Sequence, residues 1–212
     1  MPSIKSVIIS CAGIGSRLGL ATTKALINIE GRSLISWQLD MFKEIEDIRI
    51  VVGFQANDVI NEVLKYRRDV IFAYNHNYFE TKTGASFYLG ARHANEYVIE
   101  YDGDLLVHPE DMKELLETEG EYIAYADKMS DDAVYVKVNS IGDVLAFSRE
   151  NGDFEWTGPA CIRKNKVKYN SGNVFNQLEN YLPMRGIKIR ACDIDTYNDY
   201  QRAVDIVKEW YI

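Results

Sequence analysis

Three cysteines, three histidines and four prolines are all that this 212-residue chain carries of those residue types. Cys11, Cys161 and Cys192 stand far apart, without the paired spacing of a zinc site or a disulfide framework. An odd number of thiols in apolar surroundings is expected of buried, reduced cysteines and a cytoplasmic address. His76, His93 and His108 are equally scattered, with no second ligand at helical or hairpin spacing. That speaks against zinc chemistry and against a Ser-His-Asp hydrolase. Long apolar runs are missing too: nothing approaches the roughly 20 residues of a membrane span. Met1-Pro2-Ser3-Ile4-Lys5 leads into a strand without the apolar core of a signal peptide. Positive charge is in deficit, 24 Lys and Arg against 32 Asp and Glu, and the net charge of −8 disfavours a nucleic-acid backbone as partner. No linker, repeat or low-complexity segment divides the chain, so a single domain over 1–212 is expected.

What the chain does have begins at its first strand. Val7-Ile8-Ile9 runs into Cys11-Ala12-Gly13-Ile14-Gly15-Ser16-Arg17-Leu18-Gly19, and Lys24 follows. Small residues after a strand let backbone amides approach an anion, and Arg17 and Lys24 add the positive charge that a triphosphate needs. The spacing excludes two better-known phosphate loops. Gly15 is followed by Ser16-Arg17 where a Walker A loop has Lys-Ser/Thr, and position 18 is Leu18 where a dinucleotide fingerprint has its third glycine. The plain alternative is a strand-to-loop turn that uses glycine for its backbone freedom.

Strands are predicted at Ser6–Cys11, Ile48–Gly53, Val70–Tyr74 and Tyr97–Tyr101, with helices at Leu34–Ile45, Asn57–Tyr66 and about Thr83–Ala94. This alternation implies an α/β fold, a three-layer α/β/α sandwich with a mostly parallel, Rossmann-like mixed sheet. Ligands of such sheets bind at the carboxyl ends of the strands, where the glycine loop falls. After Asp104 the rhythm changes. A short helix at Pro109–Thr118 precedes strand candidates Glu121–Ala126, Ala133–Val138, Val144–Ser148 and Trp156–Ile162, expected as antiparallel additions to the far side of the sheet. Turn signals stand at Asp131-Asp132, Ile141-Gly142-Asp143 and Asn151-Gly152-Asp153. A helix at Val167–Tyr181, a strand at Ile187–Cys192 and a helix at Tyr197–Trp210 complete the prediction.

Two acidic clusters fall at strand ends, Asp102-Gly103-Asp104 and Asp193-Ile194-Asp195. A magnesium ion that bridges phosphates needs one or two protein carboxylates, and Asp104 and Asp195 could converge to supply them. Either Asp102 or Asp193 could join. The alternative readings are a solvated turn for the first cluster and helix capping around Asp195, Thr196 and Asp199 for the second.

With these pieces placed, the chain resembles the nucleotidyltransferase superfamily that includes sugar-1-phosphate nucleotidylyltransferases and bacterial choline-phosphate cytidylyltransferases. The resemblance rests on Ala12-Gly13-x-Gly15-Ser16-Arg17-Leu18, Lys24-Ala25-Leu26, Gly31-Arg32-Ser33-Leu34-Ile35, Gly103-Asp104 and Asp193-Ile194-Asp195-Thr196-x-x-Asp199-Tyr200. It implies a nucleotide-binding half over 1–105, and an acceptor-binding half with a closing helix over 106–212. It also implies that Ala12, Gly13, Gly15, Ser16, Arg17 and Lys24 embrace a triphosphate, with Arg17 and Lys24 catalytic and Asp102 beside the nucleotide. Asp104 and Asp195 would hold Mg2+. The stretch from Asn75 to Leu89 resembles the base-facing region of the small cytidylyltransferases, so Thr83, Gly84 and Ser86 are candidates for base or ribose contact; the alternative is that Thr81 or Thr83 merely caps the next helix. Glu155 and Trp156 are candidates for the acceptor side, where an aromatic ring beside a carboxylate would suit a cationic group; the alternative is a core tryptophan.

The implied reaction joins a nucleoside monophosphate, cytidylate by preference, to a small phosphorylated or phosphonate acceptor and releases pyrophosphate. Decoration of capsule or other surface polysaccharide is the pathway that the resemblance suggests, and a homodimer is compatible with it. Uridylyl or guanylyl transfer to a sugar 1-phosphate is the alternative within the superfamily. Asp102-Gly103-Asp104 also fits the Asp-x-Asp pattern of a metal-dependent glycosyltransferase, and a non-catalytic nucleotide-binding regulator is the reading outside catalysis. This sequence departs from the family pattern in having Thr23 where a proline usually precedes the lysine, and a short loop from Arg17 to Lys24.

Overall fold

A computed structural model describes residues 4–15, 18–19, 22–129 and 133–212. Seven strands form the main sheet: β1 (Lys5–Cys11), β4 (Asp47–Val52), β5 (Val70–Tyr74), β6 (Tyr97–Asp102), β8 (Tyr122–Tyr125), β12 (Ala160–Arg163) and β13 (Gly186–Lys188). Their order is β13-β8-β12-β6-β1-β4-β5. β12 runs antiparallel to both of its neighbours, and the other pairings are parallel. The central strands carry apolar residues on both faces, as strands covered on both sides must. Val7, Ile9, Ile50 and Tyr101 face one layer, built on α1 (Leu34–Met41), α2 (Ala56–Tyr66) and α4 (Pro109–Glu117). Ile8, Val51 and Val98 face the other, which holds α3 (Thr83–Ala91), α5 (Phe175–Leu178) and a small sheet. The three-layer, mostly parallel architecture is therefore as the sequence predicts.

Four details differ from the prediction. Of the segments expected to extend the main sheet, β8 and β12 do so, antiparallel to each other, but β9 (Val134–Val138), β10 (Val144–Ser148) and β11 (Phe154–Trp156) make a separate three-stranded sheet in the order β10-β9-β11. The single strand expected over Trp156–Ile162 is two, because Gly158 takes φ +127° and Pro159 follows it. The long helix expected over Val167–Tyr181 is only α5 and a 3-10 turn, since Asn170 accepts the Gly172 amide and holds a turn there. The strand expected over Ile187–Cys192 splits into β13 and β14 (Ala191–Asp193). The turn assigned to Asp131-Asp132 lies outside the described residues.

A two-stranded clip gives the fold its functional shape. β7 (Leu105–Val107) pairs antiparallel with β14, Leu105 opposite Asp193, and the Ile194 amide donates to the Asp104 carbonyl at 3.0 Å. Two distant stretches of chain, each ending in aspartates, are thereby fixed side by side. α6 (Tyr197–Trp210) follows and packs Ala203 and Val207 against Ile29 of a short hairpin, β2 (Asn28–Ile29) and β3 (Arg32–Ser33). No helix among the described residues is long and apolar enough to cross a membrane.

Candidate active site

The site lies where β1, β6 and the β7–β14 clip end. Lys24 stands in a turn of 3-10 helix, Lys24–Leu26, at the end of the glycine loop. Its ammonium donates to Asp104 Oδ2 at 2.7 Å and to Asp195 Oδ1. Burial works against its charge, but the two carboxylates outweigh that and raise its pKa above the ordinary lysine value. Asp104 reaches the ammonium because Gly103 crosses β1 closely: a Cβ at Gly103 would stand 2.6 Å from the Ser10 carbonyl and 2.9 Å from Cys11 Sγ. Asp195 is not consumed by helix capping. The Thr196 hydroxyl accepts the Asp199 amide, and Asp199 in turn accepts the Thr196 amide, a complete capping box.

The loop itself is tightly specified. Gly15 takes φ +67°, and a Cβ there would meet Lys24 Cγ and the Thr22 carbonyl at 3.1 Å. Thr23 adopts φ −63° and ψ 142°, and its amide donates to Gln55 Oε1 at 2.8 Å. Gln55 also accepts the Thr22 hydroxyl at 3.1 Å. Gln55 was not foreseen from sequence, because its role depends on a loop from another crossover coming alongside.

A cavity of about 430 Å³ opens over this loop, bordered by Ala12, Gly13, Gly15, Lys24, Thr83, Ser86, Asp102 and Asp104. Asn75, Tyr78, Thr81 and Lys82 of the expected base-facing stretch border it as well, and so does Asn173, which the sequence did not single out. Asn75 donates to the Thr81 and Ser86 hydroxyls, fixing the segment that the sequence marked as base-facing. Gly84 does not border this cavity. Its amide donates to the Gly172 carbonyl, its carbonyl accepts from Gln177, and a Cβ would stand 2.7 Å from Gly172 O, so it packs α3 onto the 170–173 loop. Ser16 and Arg17 lie outside the described residues.

A second cavity, of about 470 Å³, shares Lys82, Thr83, Asp102, Asp104 and Asn173 with the first and extends to Arg149, Glu155, Trp156, Thr157, Phe175, Asp193 and Asp195. The buried Trp156 ring is packed against Phe147 and Phe175 at centroid distances of 5.6 and 6.1 Å. The buried Glu155 carboxylate accepts the Met129 amide at 2.9 Å. Carboxylates crowd the junction of the two cavities. Removal from water, with the Asp104 charge beside it, pushes Asp102 up to about 7, and the same two causes hold Asp193 well above the usual carboxylate range. Along the wall that the two cavities share, the described charged residues are Asp102, Asp104 and Lys82. Cys11, Cys161 and Cys192 are all buried thiols, and burial raises the pKa of each, which disfavours the thiolate.

Among the described residues no group of three or more His, Cys, Asp or Glu side chains could hold a metal by itself. Two hard carboxylates converging on one cation do suit an ion that draws its other ligands from phosphate and water.

Comparison with known proteins bears on the family and the fold. The family described as "MobA-like NTP transferase domain" matches residues 7–158, more than half of the chain. The choline-phosphate cytidylyltransferase of Streptococcus pneumoniae is 36% identical over 104 residues, 46% of this chain and 44% of that protein. The bifunctional protein GlmU of Wolinella succinogenes is 24% identical over 135 residues, 63% of this chain and 31% of that protein. The chain thus spans less than half the length of these curated relatives. Among solved structures, the inositol-1-phosphate CTP transferase of T. maritima superposes with a TM-score of 0.81 at 17% identity, covering 100% of this chain and 99% of that one. The CTP:phosphocholine cytidylyltransferase of Streptococcus pneumoniae superposes with a TM-score of 0.75 at 20% identity, covering 96% and 99%. At those identities the likeness is one of fold.

Proposed function

The chain belongs to the MobA-like NTP transferase family, and from that premise we propose that it transfers a nucleoside monophosphate to a small phosphorylated or phosphonate acceptor and releases pyrophosphate. CTP is the proposed donor. The observation that carries this reading is the Lys24 ammonium, held between Asp104 and Asp195 where the two cavities meet. One cavity has the glycine loop for a triphosphate; the other is the natural place for the acceptor. Support for cytidine comes from the 36% identity with a choline-phosphate cytidylyltransferase.

In this reaction an oxygen of the acceptor phosphate attacks the α-phosphorus, the bond to the β-phosphate oxygen breaks, and pyrophosphate leaves with that electron pair. The acceptor oxygen is already anionic, so no strong base is required. Catalysis is then positioning and charge neutralisation. Lys24, kept charged by its two carboxylates, would bridge the α-phosphate and the acceptor phosphate. The amides of residues 12–15 would hold the β- and γ-phosphates, and Arg17 is assigned to the same triphosphate. Asp104 and Asp195 would hold Mg2+, which when bound supplies further positive charge to the phosphates. The product would be a nucleotide-activated head group of the kind consumed in surface-polymer decoration.

The test is pyrophosphate release from each of the four nucleoside triphosphates with Mg2+, against a panel of phosphocholine, aminoethylphosphonate, glycerol phosphate and sugar 1-phosphates. Pyrophosphate release that needs both substrates, fastest with CTP, is the expected result. Sugar transfer from a nucleotide sugar without pyrophosphate would make it a glycosyltransferase. Tight nucleotide binding with no product from any acceptor would make it a regulator.

A further inference from the structure

The acceptor side carries a cation that the proposed chemistry does not use. Arg149 follows β10, where the Ser148 hydroxyl accepts the Glu150 and Asn151 amides at 3.1 and 3.3 Å and fixes the turn. Its guanidinium lies over the Phe175 ring, 5.3 Å from the centroid, at the border of the second cavity. Among the described residues Arg149 makes no ion pair and no hydrogen bond, although Glu155 and Asp193 border the same cavity. A guanidinium stacked on a ring keeps its in-plane N–H groups available. The same wall holds two buried polar atoms without a hydrogen-bond partner, Trp156 Nε1 and Thr157 Oγ1. Asp193 adds a carboxylate that accepts no hydrogen bond among the described residues.

We propose that Arg149 is a specificity-determining residue, which selects an acceptor whose far end carries hydroxyl oxygens, a polyol or sugar phosphate, over one that ends in a quaternary ammonium. The proposal rests on the nucleotidyl-transfer reading for its acceptor and names the class of that acceptor. Three facts favour oxygen. The Phe175 ring that borders this cavity is already covered by a cation of the chain itself, so a trimethylammonium group would have to expel it. The unpartnered groups on the cavity surface are of both signs, donors on Arg149 and an acceptor on Asp193, and hydroxyls satisfy both where methyl groups satisfy neither. Trp156, the other ring, is closed off between Phe147 and Phe175.

Calorimetric titration without nucleotide separates this proposal from the reaction itself. The probes are glycerol 3-phosphate, inositol 1-phosphate and phosphocholine, which share a phosphate monoester and differ at the far end. The wild-type protein is expected to bind the two polyol phosphates more tightly than phosphocholine. Arg149→Ala should weaken both polyol phosphates roughly tenfold and leave phosphocholine unchanged or tighter. Arg149→Lys, which keeps the charge and loses the planar fork, should recover only part of the polyol affinity. Arg149 is exposed, so these variants keep the fold. Tighter wild-type binding of phosphocholine, equal weakening of all three probes, no effect of Arg149→Ala, or no binding of any probe overturns the proposal. Absence of pyrophosphate release alongside the expected binding pattern overturns the nucleotidyl-transfer reading instead.

Discussion

Thr23 has the backbone angles that a proline would impose, φ −63° and ψ 142°, and keeps the N–H that a proline would lack. That N–H goes to Gln55, which itself sits at φ +50° as the residue before α2. At position 23 the departure from the family pattern thus keeps proline-like backbone angles and adds an anchor to Gln55. Replacing Lys24 with alanine removes the only charge that the proposed mechanism places between the two phosphates, and pyrophosphate release should fall roughly 10²- to 10⁴-fold, read by steady-state kinetics on protein of unchanged circular dichroism. Gly103→Ala should act through the fold. Its Cβ would be driven into the Ser10 carbonyl and Cys11 Sγ, and the unfolding free energy from urea titration should drop by about 2 kcal/mol or more. At this scale the sequence was informative about residues whose chemistry is local. Lys24, Asp104 and Asp195 are legible as a cation and two strand-end acids. Gln55, Asn173 and Arg149 are not, because their roles come from loops that meet only in the folded chain.

At the scale of elements, legibility follows the strength of local signals. α6 spans Tyr197–Trp210 as predicted, since a Thr-x-x-Asp box starts it and an amphipathic pattern runs its length. The expected Val167–Tyr181 helix fails because Asn170, Gly172 and Asn173 prefer side-chain and turn hydrogen bonds to helical ones. α4 is tied to the segment before β14 by Asp111, which accepts the Arg190 amide at 2.6 Å and its Nε at 2.9 Å. Burial alone would raise the Asp111 pKa, but the Arg190 hydrogen bonds outweigh it and hold the carboxyl below the usual range. A carboxyl lowered in the folded state adds stability above its unfolded pKa, about 3.9, and loses it as pH falls through the lower folded value. The pair is solvent-screened, so the effect is modest. Asp111→Asn should lower the melting temperature by roughly 2 °C at pH 7, and the difference from wild type should close as the pH falls below the ordinary aspartate range.

At the scale of the whole molecule, the two cavities share a wall made of Lys82, Thr83, Asp102, Asp104 and Asn173. A nucleotide that neutralises or orders this wall alters what the acceptor meets, and linkage requires the converse to the same degree. Acceptor affinity measured by calorimetry should therefore rise several-fold, about 5-fold or more, when a non-hydrolysable nucleoside triphosphate and Mg2+ are present, and the nucleotide should gain equally from the acceptor. Independent affinities would show that the shared residues are rigid partitions. The three layers and the parallel core could be anticipated from alternating strands and helices, while the separate β9–β11 sheet could not, since only tertiary packing decides which sheet a short antiparallel strand joins.

The β7–β14 clip has a consequence for how the protein is made. Translation delivers the glycine loop, Lys24 and Asp104 early, but the aspartate that completes the cage around the lysine arrives only with residue 195. A nascent chain halted before β14 can assemble most of the parallel core and its loop, yet holds a lysine with a single carboxylate partner. The second carboxylate of the lysine is thus supplied only when the clip closes, from a segment 171 residues further along the chain.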